Sequence, residues 1–231
     1  MNRLNIAQMF NKIAWIYDFL NHLFSLNIDK IWRKKAVKEL RHLKLNNVLD
    51  VATGTADMAL TIQKRLKPAH ITGIDISECM LEIGRQKIEK KGLAQKISLK
   101  YCSSESLPFD DNSFDAVTVA FGIRNFENVD DSLCEMFRVL KNSGKLVIIE
   151  LSVPKNRVFR TVYNLYFLHL IPLIGSFLSK DSNAYHYLPV SVQSFPNGKR
   201  FLQRMEKCGF SNVTIKMLSF GIACIYTGEK Q

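Results

Sequence analysis

Cysteine is scarce and unpatterned in this chain of 231 residues: five, at positions 79, 102, 134, 208 and 224, with no Cys-x-x-Cys spacing. Such scatter predicts reduced thiols and a cytoplasmic setting, and gives no support to a zinc site. Several signatures are also missing. There is no Gly-x-x-x-x-Gly-Lys phosphate loop, no His-Glu-x-x-His helix and no Gly-x-Ser-x-Gly elbow, so a nucleoside triphosphatase or hydrolase is poorly supported. The full Gly-x-Gly-x-x-Gly set of nicotinamide enzymes is absent too. The first residues, Met1 to Asn5, hold no apolar run suited to a signal peptide. Acid is in short supply, with 21 Asp and Glu against 32 Lys and Arg, a formal charge of +11 that suits an anionic partner without choosing among nucleic acid, membrane and substrate.

What is present begins at residues 48–57, Val-Leu-Asp-Val-Ala-Thr-Gly-Thr-Ala-Asp. Val48, Leu49 and Val51 read as a buried strand, Gly54 as a place where a ligand can approach the backbone, and Asp57 as the start of a helix whose free N–H groups face the same space. A second apolar strand, 70–74, ends in Asp75, the spacing at which an acid meets ribose hydroxyls in nucleoside-binding folds. Asp50 is an acid inside an apolar strand, costly to bury without a partner.

Strands are predicted at 47–51, 70–74, 97–101, 114–120, 144–150, 213–218 and 222–227, and helices at 57–66, 78–91, 130–141 and 198–208. The alternation implies an α/β fold: seven strands, mostly parallel, with helices on both faces and an antiparallel hairpin at the C-terminus. Before this core, Phe10, Ile13, Ala14 and Tyr17 share a helical face over 6–20, and Asp29 to Trp32 open a second helix; together they read either as a lid over an apolar ligand or as a helical hairpin whose Tyr17 and Trp32 pack on the domain. His22 reads as a surface or packing residue. Residues 158–178 are strongly apolar, but Arg160, Asn164, His169 and Pro172 interrupt them. That favours a helical insertion covering a greasy pocket or resting on a membrane over a spanning segment. One domain is expected, divided into a lid (1–45), a ligand-binding core (46–152), the apolar insertion (153–197) and a terminal helix and hairpin (198–231).

Chemistry gathers where strand four ends. Arg124 and Asn125 follow Phe121 at the carboxyl edge of the sheet, a cation and an amide able to orient a polar head while the ring packs. Cys102 to Phe109, with Ser103 and Ser104, could meet a nucleobase.

The 50–57 turn, Asp75, Leu107-Pro108-Phe109 and Asp111 to Asp115 resemble a class I S-adenosylmethionine-dependent methyltransferase with a Rossmann-like sheet. Tyr17 to Asn21 with Ser25 and Trp32, Phe121 to Asn125, Arg138 to Lys141, and Tyr185 to Pro189 with Ser191, Phe195 and Pro196 are similar to the demethylmenaquinone and ubiquinone C-methyltransferase family, over about residues 8 to 228. The resemblance implies that Asp50, Gly54, Thr55, Asp75, Ser103, Ser104, Ala120 and Asn125 bind S-adenosyl-L-methionine, that Tyr17, Phe121 and Tyr187 hold a prenylated quinol, and that Arg124 is catalytic at the quinol oxygen. It implies no metal and no nucleic acid, peripheral attachment to the inner face of an anionic membrane, and leaves room for a homo-oligomer. Four departures stand out: Ala56 where the family usually has glycine, Ser103 for Asp or Asn, Asn142-Ser143 for Pro-Gly, and Asp29 for His. Ala56 is expected to bring a methyl group close to the donor.

Overall fold

The computed structural model describes residues 3–166 and 183–231. Two helices come first, α1 (Arg3–Phe24) and α2 (Ile28–Lys38), and then strands and helices alternate. These are β1 (Asn47–Val51), α3 (Asp57–Leu66), β2 (His70–Asp75), α4 (Glu78–Lys90), β3 (Ile97–Tyr101), β4 (Phe114–Ala120), α5 (Val129–Val139) and β5 (Leu140–Leu151). The chain ends with α6 (Arg157–Leu165), α7 (Asn183–Ser194), α8 (Lys199–Lys207), β6 (Ser211–Leu218) and β7 (Ala223–Glu229). Seven strands form one sheet in the order β3-β2-β1-β4-β5-β7-β6. The first five run parallel, and β7 is antiparallel to both its neighbours, as the C-terminal hairpin predicts.

Strand alternation decides which face each helix covers. Leu49, Val51, Val117, Val119, Leu146 and Ile148 point to the side closed by α5 and α8, through Leu133, Met136, Phe201 and Met205. Val48, Ala116, Val147 and Ile149 point to the other side, closed by α2, α3 and α4 through Trp32, Ala36, Met58, Ile62 and Ile88. Strand order reverses between β1 and β4, so the carboxyl ends of β1, β2 and β4 open a crevice at one edge, the usual place for a ligand in such sheets.

Some boundaries differ from expectation. The first helix runs from Arg3 to Phe24 rather than over 6–20, and β5 starts at Leu140, where a helix to 141 was predicted. Leu140 pairs with Phe114 on β4 before the register shifts, which draws the strand back into the helix end. Reduced thiols throughout is also corrected, because Cys134 on α5 and Cys208 after α8 form a disulfide with Cα atoms 5.0 Å apart. The packing of α5 on α8 brings together two residues 74 apart in sequence, a separation that carries no motif. The apolar 158–178 segment falls partly outside the described residues, and its described part forms α6. Among the described residues, no helix is long and apolar enough to cross a membrane.

Candidate active site

The turn after β1 is built on left-handed backbone. Ala52, Gly54 and Ala56 have φ of 53°, 54° and 66°, and Phe121, after β4, has φ 61°. For Ala and Phe this conformation costs energy, and such residues collect where a loop must meet a ligand. The two strained turns touch: a Cβ on Gly122 would lie 2.5 Å from the Ala52 methyl, so only glycine lets them close. The Ala56 methyl does not project at the donor side. It is fully buried in the core cluster with Trp32 and Met58, against α4 at Gly84, which corrects the expectation drawn from sequence.

Between these turns lies the first cavity. Gly54, Asp75, Ser103, Ser104, Ala120 and Asn125 contribute to its wall, with Tyr17 and Phe121 at one end. Asp75 accepts from the Gly54 N–H at 2.8 Å and the Ser77 N–H at 2.9 Å. Burial raises its pKa, with those N–H donors acting in the opposite direction. Each oxygen keeps a lone pair for a further donor. The Ser103 hydroxyl donates to Glu105, which also faces the cavity, so a carboxylate stands beside the position where Asp or Asn is usual. Ser104 meets the Ser132 hydroxyl at 2.9 Å. Space above Gly54 is open, three acids (Asp75, Glu105 and Glu127) line the cavity, and Ile76, Met80 and Phe126 supply apolar contact. That set fits a cationic nucleoside with a vicinal diol and a flat base.

Two residues expected along the donor do not reach this wall. Thr55 turns outward, donating to Asp18 at 2.6 Å and accepting from Lys87 at 3.0 Å, and so ties α1 and α4 to the turn. Asp50 lies beneath it, fully buried, with one oxygen accepting from Thr53 and the other from Thr118, each at 2.7 Å. Burial pushes the Asp50 carboxyl up to about 6, against the pull of the two hydroxyls and of Arg33. A folded-state pKa raised above 3.8 stabilises the fold fully below pH ~4, and this is lost as pH rises through about 6. The shift corresponds to about 3 kcal/mol. Asp50→Asn, whose amide can accept from one hydroxyl and donate to the other, is therefore expected to gain about 2–3 kcal/mol on the wild type between pH 4 and 8. Urea unfolding of both proteins at several pH values measures the difference, and parallel pH curves would refute it.

A second, larger cavity of about 310 Å³ opens on the other side of Phe121 and Tyr17. Its wall is aromatic and apolar, with Phe24, Trp32, Phe159, Tyr163 and Tyr166, and carries Arg33, Arg124 and Asp29. Phe121 packs against Trp32 with ring centroids 6.2 Å apart and lies under the Arg33 guanidinium at 5.2 Å. Arg124 lies on this side rather than on the donor side. One of its terminal nitrogens donates to the Phe121 carbonyl at 2.6 Å and to Glu150 at 2.5 Å. Its side chain is only 7% exposed, yet among the described residues Nε has no partner. Burying an unsatisfied cationic N–H is costly unless a ligand completes it. Tyr187 donates to Asn125 at 3.0 Å and lines a small adjoining cleft with Arg124. Burial raises the pKa of Tyr17 despite the nearby Arg124 charge.

Glu150, the buried partner of Arg124, was not singled out from sequence, although an acid inside Leu-Val-Ile-Ile-Glu-Leu carries the same signal as Asp50. His22 and Asp29, 2.9 Å apart, were not recognised as a pair either.

Comparison with known proteins agrees with this geometry. Residues 1–230 match the ubiE/COQ5 methyltransferase family. The chain is 46% identical over 225 residues to a demethylmenaquinone methyltransferase of Bacteroides fragilis, covering 97% of this chain and 92% of that one. It is 46% identical over 226 residues to the ubiquinone/menaquinone biosynthesis C-methyltransferase UbiE of Geotalea daltonii, covering 97% and 96%. Among solved structures, a SAM-dependent methyltransferase of Thermotoga maritima superposes with a TM-score of 0.65 at 19% identity, over 97% of this chain and 99% of that one, a likeness of fold.

Proposed function

The chain belongs to the ubiE/COQ5 methyltransferase family, and from that premise we propose that it C-methylates a prenylated quinol, converting demethylmenaquinol to menaquinol with S-adenosyl-L-methionine as donor. The name of the Geotalea relative supports a second substrate, the benzoquinol ring of ubiquinone biosynthesis. One observation carries the reading: a cavity with Asp75 on its wall and an aromatic cavity with Arg124 share Tyr17 and Phe121 as a common wall.

When bound, S-adenosyl-L-methionine supplies an electrophilic methyl group. Asp75 would take the ribose hydroxyls, with Ser103, Glu105 and Ser104 near the base and Ala120 and Asn125 closing the end next to the acceptor. Tyr17, Phe121 and Tyr187 would frame the quinol ring. Arg124 stays protonated, so it stabilises an oxyanion through its free Nε–H and is no base itself. Ionising the quinol raises electron density on the ortho carbon, and holding both partners in place supplies much of the remaining rate.

Membrane attachment is part of the same proposal. Trp15, Phe19 and Leu23 are exposed at four-residue spacing along α1, and Leu26, Phe159 and Phe220 are exposed around the second cavity, the last two stacked at 4.2 Å. With the exposed Lys30 and Lys34 and the charge of +11, this surface suits the anionic cytoplasmic face of a membrane in which a polyprenyl substrate dissolves. Sedimentation with anionic vesicles at low salt is expected to carry the protein down, with Trp15→Ser and Phe19→Ser reducing it. Equal binding to neutral vesicles, or none to either, would remove this part.

The enzymatic test is methyl transfer from labelled donor to a short-chain demethylmenaquinol mimic, together with mass spectrometry of quinones from cells lacking the protein. Accumulation of a demethylated naphthoquinone is expected. An unchanged quinone pool would sink the reading.

A further inference from the structure

Removing the phenolic proton requires an acceptor in the aromatic cavity, and few side chains there can serve. Arg33 and Arg124 are cations. Tyr17, Tyr163 and Tyr166 are phenols that burial holds protonated. Glu150 lies fully buried behind Arg124 and is not on the wall. Among the described residues lining the cavity, Asp29 is the one carboxylate.

Asp29 is built into a path that leads outward. One of its oxygens accepts from Ser25 at 2.6 Å, and the other meets Arg33 and, at 2.9 Å, His22 Nδ1. His22 is partly exposed, at 22%, and its far nitrogen Nε2 lies 3.6 Å from Asp57 at the start of α3. The charged groups around this imidazole are Asp29 and Arg33 on α2 and Asp57 on α3, with Lys87 of α4 bridging Asp57 to Asp18 on α1 itself. A buried carboxylate on the cavity wall and a partly exposed imidazole behind it lead from the cavity toward solvent.

We propose that Asp29 and His22 form the proton relay of this enzyme, an inference that rests on the quinol reading above. The phenolic proton moves to the Asp29 carboxylate and its electron pair stays on the ring oxygen. The ortho carbon then forms its bond to the methyl group as the carbon–sulfur bond breaks, the pair returning to sulfur. The phenolic proton passes from Asp29 through His22 to solvent; the freed carboxylate then takes the ring C–H proton, whose electron pair restores the aromatic ring, and hands that proton to the ring oxygen, so that one net proton is released per turnover. Burial alone would raise the Asp29 pKa, but Ser25, Arg33 and His22 together hold it below its ordinary value, so the carboxylate starts ionised.

The experiment uses the full chain, labelled donor and two acceptors: a short-chain demethylmenaquinol mimic and a ring-fluorinated analogue whose phenol is more acidic. Asp29→Asn and His22→Gln are expected to lower kcat on the first acceptor by about a hundredfold, with donor affinity by calorimetry unchanged. Much of the loss should vanish on the fluorinated analogue, because a more acidic phenol needs less help. The exchanged pair His22→Asp with Asp29→His should recover about tenfold over His22→Asp alone, since it restores a carboxylate–imidazole contact. Turnover of both single variants within about threefold of wild type, or an equal deficit on both acceptors, would reduce the pair to a structural ion pair and overturn the relay. If the wild type transfers methyl to neither acceptor, the quinol reading falls first and the relay with it.

Discussion

Replacing Arg124 with alanine is expected to lower kcat by about 10²–10³-fold while donor affinity is retained, the loss seen when a donor to a developing oxyanion is removed. Donor affinity should survive because Arg124 lies on the acceptor side of Phe121 and makes no part of the first cavity. The alanine variant also strips Glu150 of its counter-charge, so a drop in activity could be confused with a loosened fold. Arg124→Lys separates the two. A lysine keeps a cation for Glu150 but has no Nε–H at the position left free in the structure, and an ammonium cannot reproduce the planar fork. Its kcat should fall nearly as far as that of alanine, with an unfolding midpoint close to wild type. Steady-state kinetics with the demethylmenaquinol mimic, beside calorimetry with the donor, measures both. A lysine variant with wild-type turnover would remove Arg124 from the reaction.

Glu150→Ala is expected to destabilise the fold by about 3–5 kcal/mol, the cost of breaking a buried ion pair from one side. Glu150 is fully buried on β5 and accepts from the Arg124 guanidinium, the Arg124 N–H at 3.3 Å and the Leu151 N–H at 2.7 Å. Without it, among the described residues a guanidinium that is 7% exposed keeps only the Phe121 carbonyl. Removing both charges is a different matter: Arg124→Met with Glu150→Leu should recover most of the stability, because an apolar pair of similar volume avoids the desolvation of two ions. It should remain inactive. Urea unfolding of wild type, single and double variants gives the comparison, and a single variant within about 1 kcal/mol of wild type would contradict the account.

The sheet was legible because its central parallel strands are buried on both faces and read as apolar runs, as in Phe114 to Ala120, and Asp75 was legible because it ends such a run. Other features depend on contacts between distant segments. Asp18 meets Lys87 only because α1 lies on α4, and Cys134 meets Cys208 only because α5 lies on α8. His22 and Asp29 are seven residues apart, a spacing that in one continuous helix leaves about 10 Å between them along the axis, and the reversal at Leu26 and Asn27, both with positive φ, brings them together. Glu150 carried a signal that could have been used. The side on which Arg124 falls was expected only from the family resemblance, because locally it depends on a turn that places Phe121 in left-handed backbone.

That turn makes one phenyl ring the wall of two chambers, and a shared wall joins their occupants thermodynamically. A ligand that fixes Phe121 in its seat against Trp32 removes freedom from the other chamber as well, so the second guest meets a surface already ordered. Whatever factor the donor adds to quinol affinity, the quinol must return to the donor, because the coupling free energy between two sites is one quantity seen from either end. Filling the two chambers is then expected to be cooperative through the wall that Phe121 shares with Tyr17, and Phe121→Leu is the substitution that should weaken the coupling.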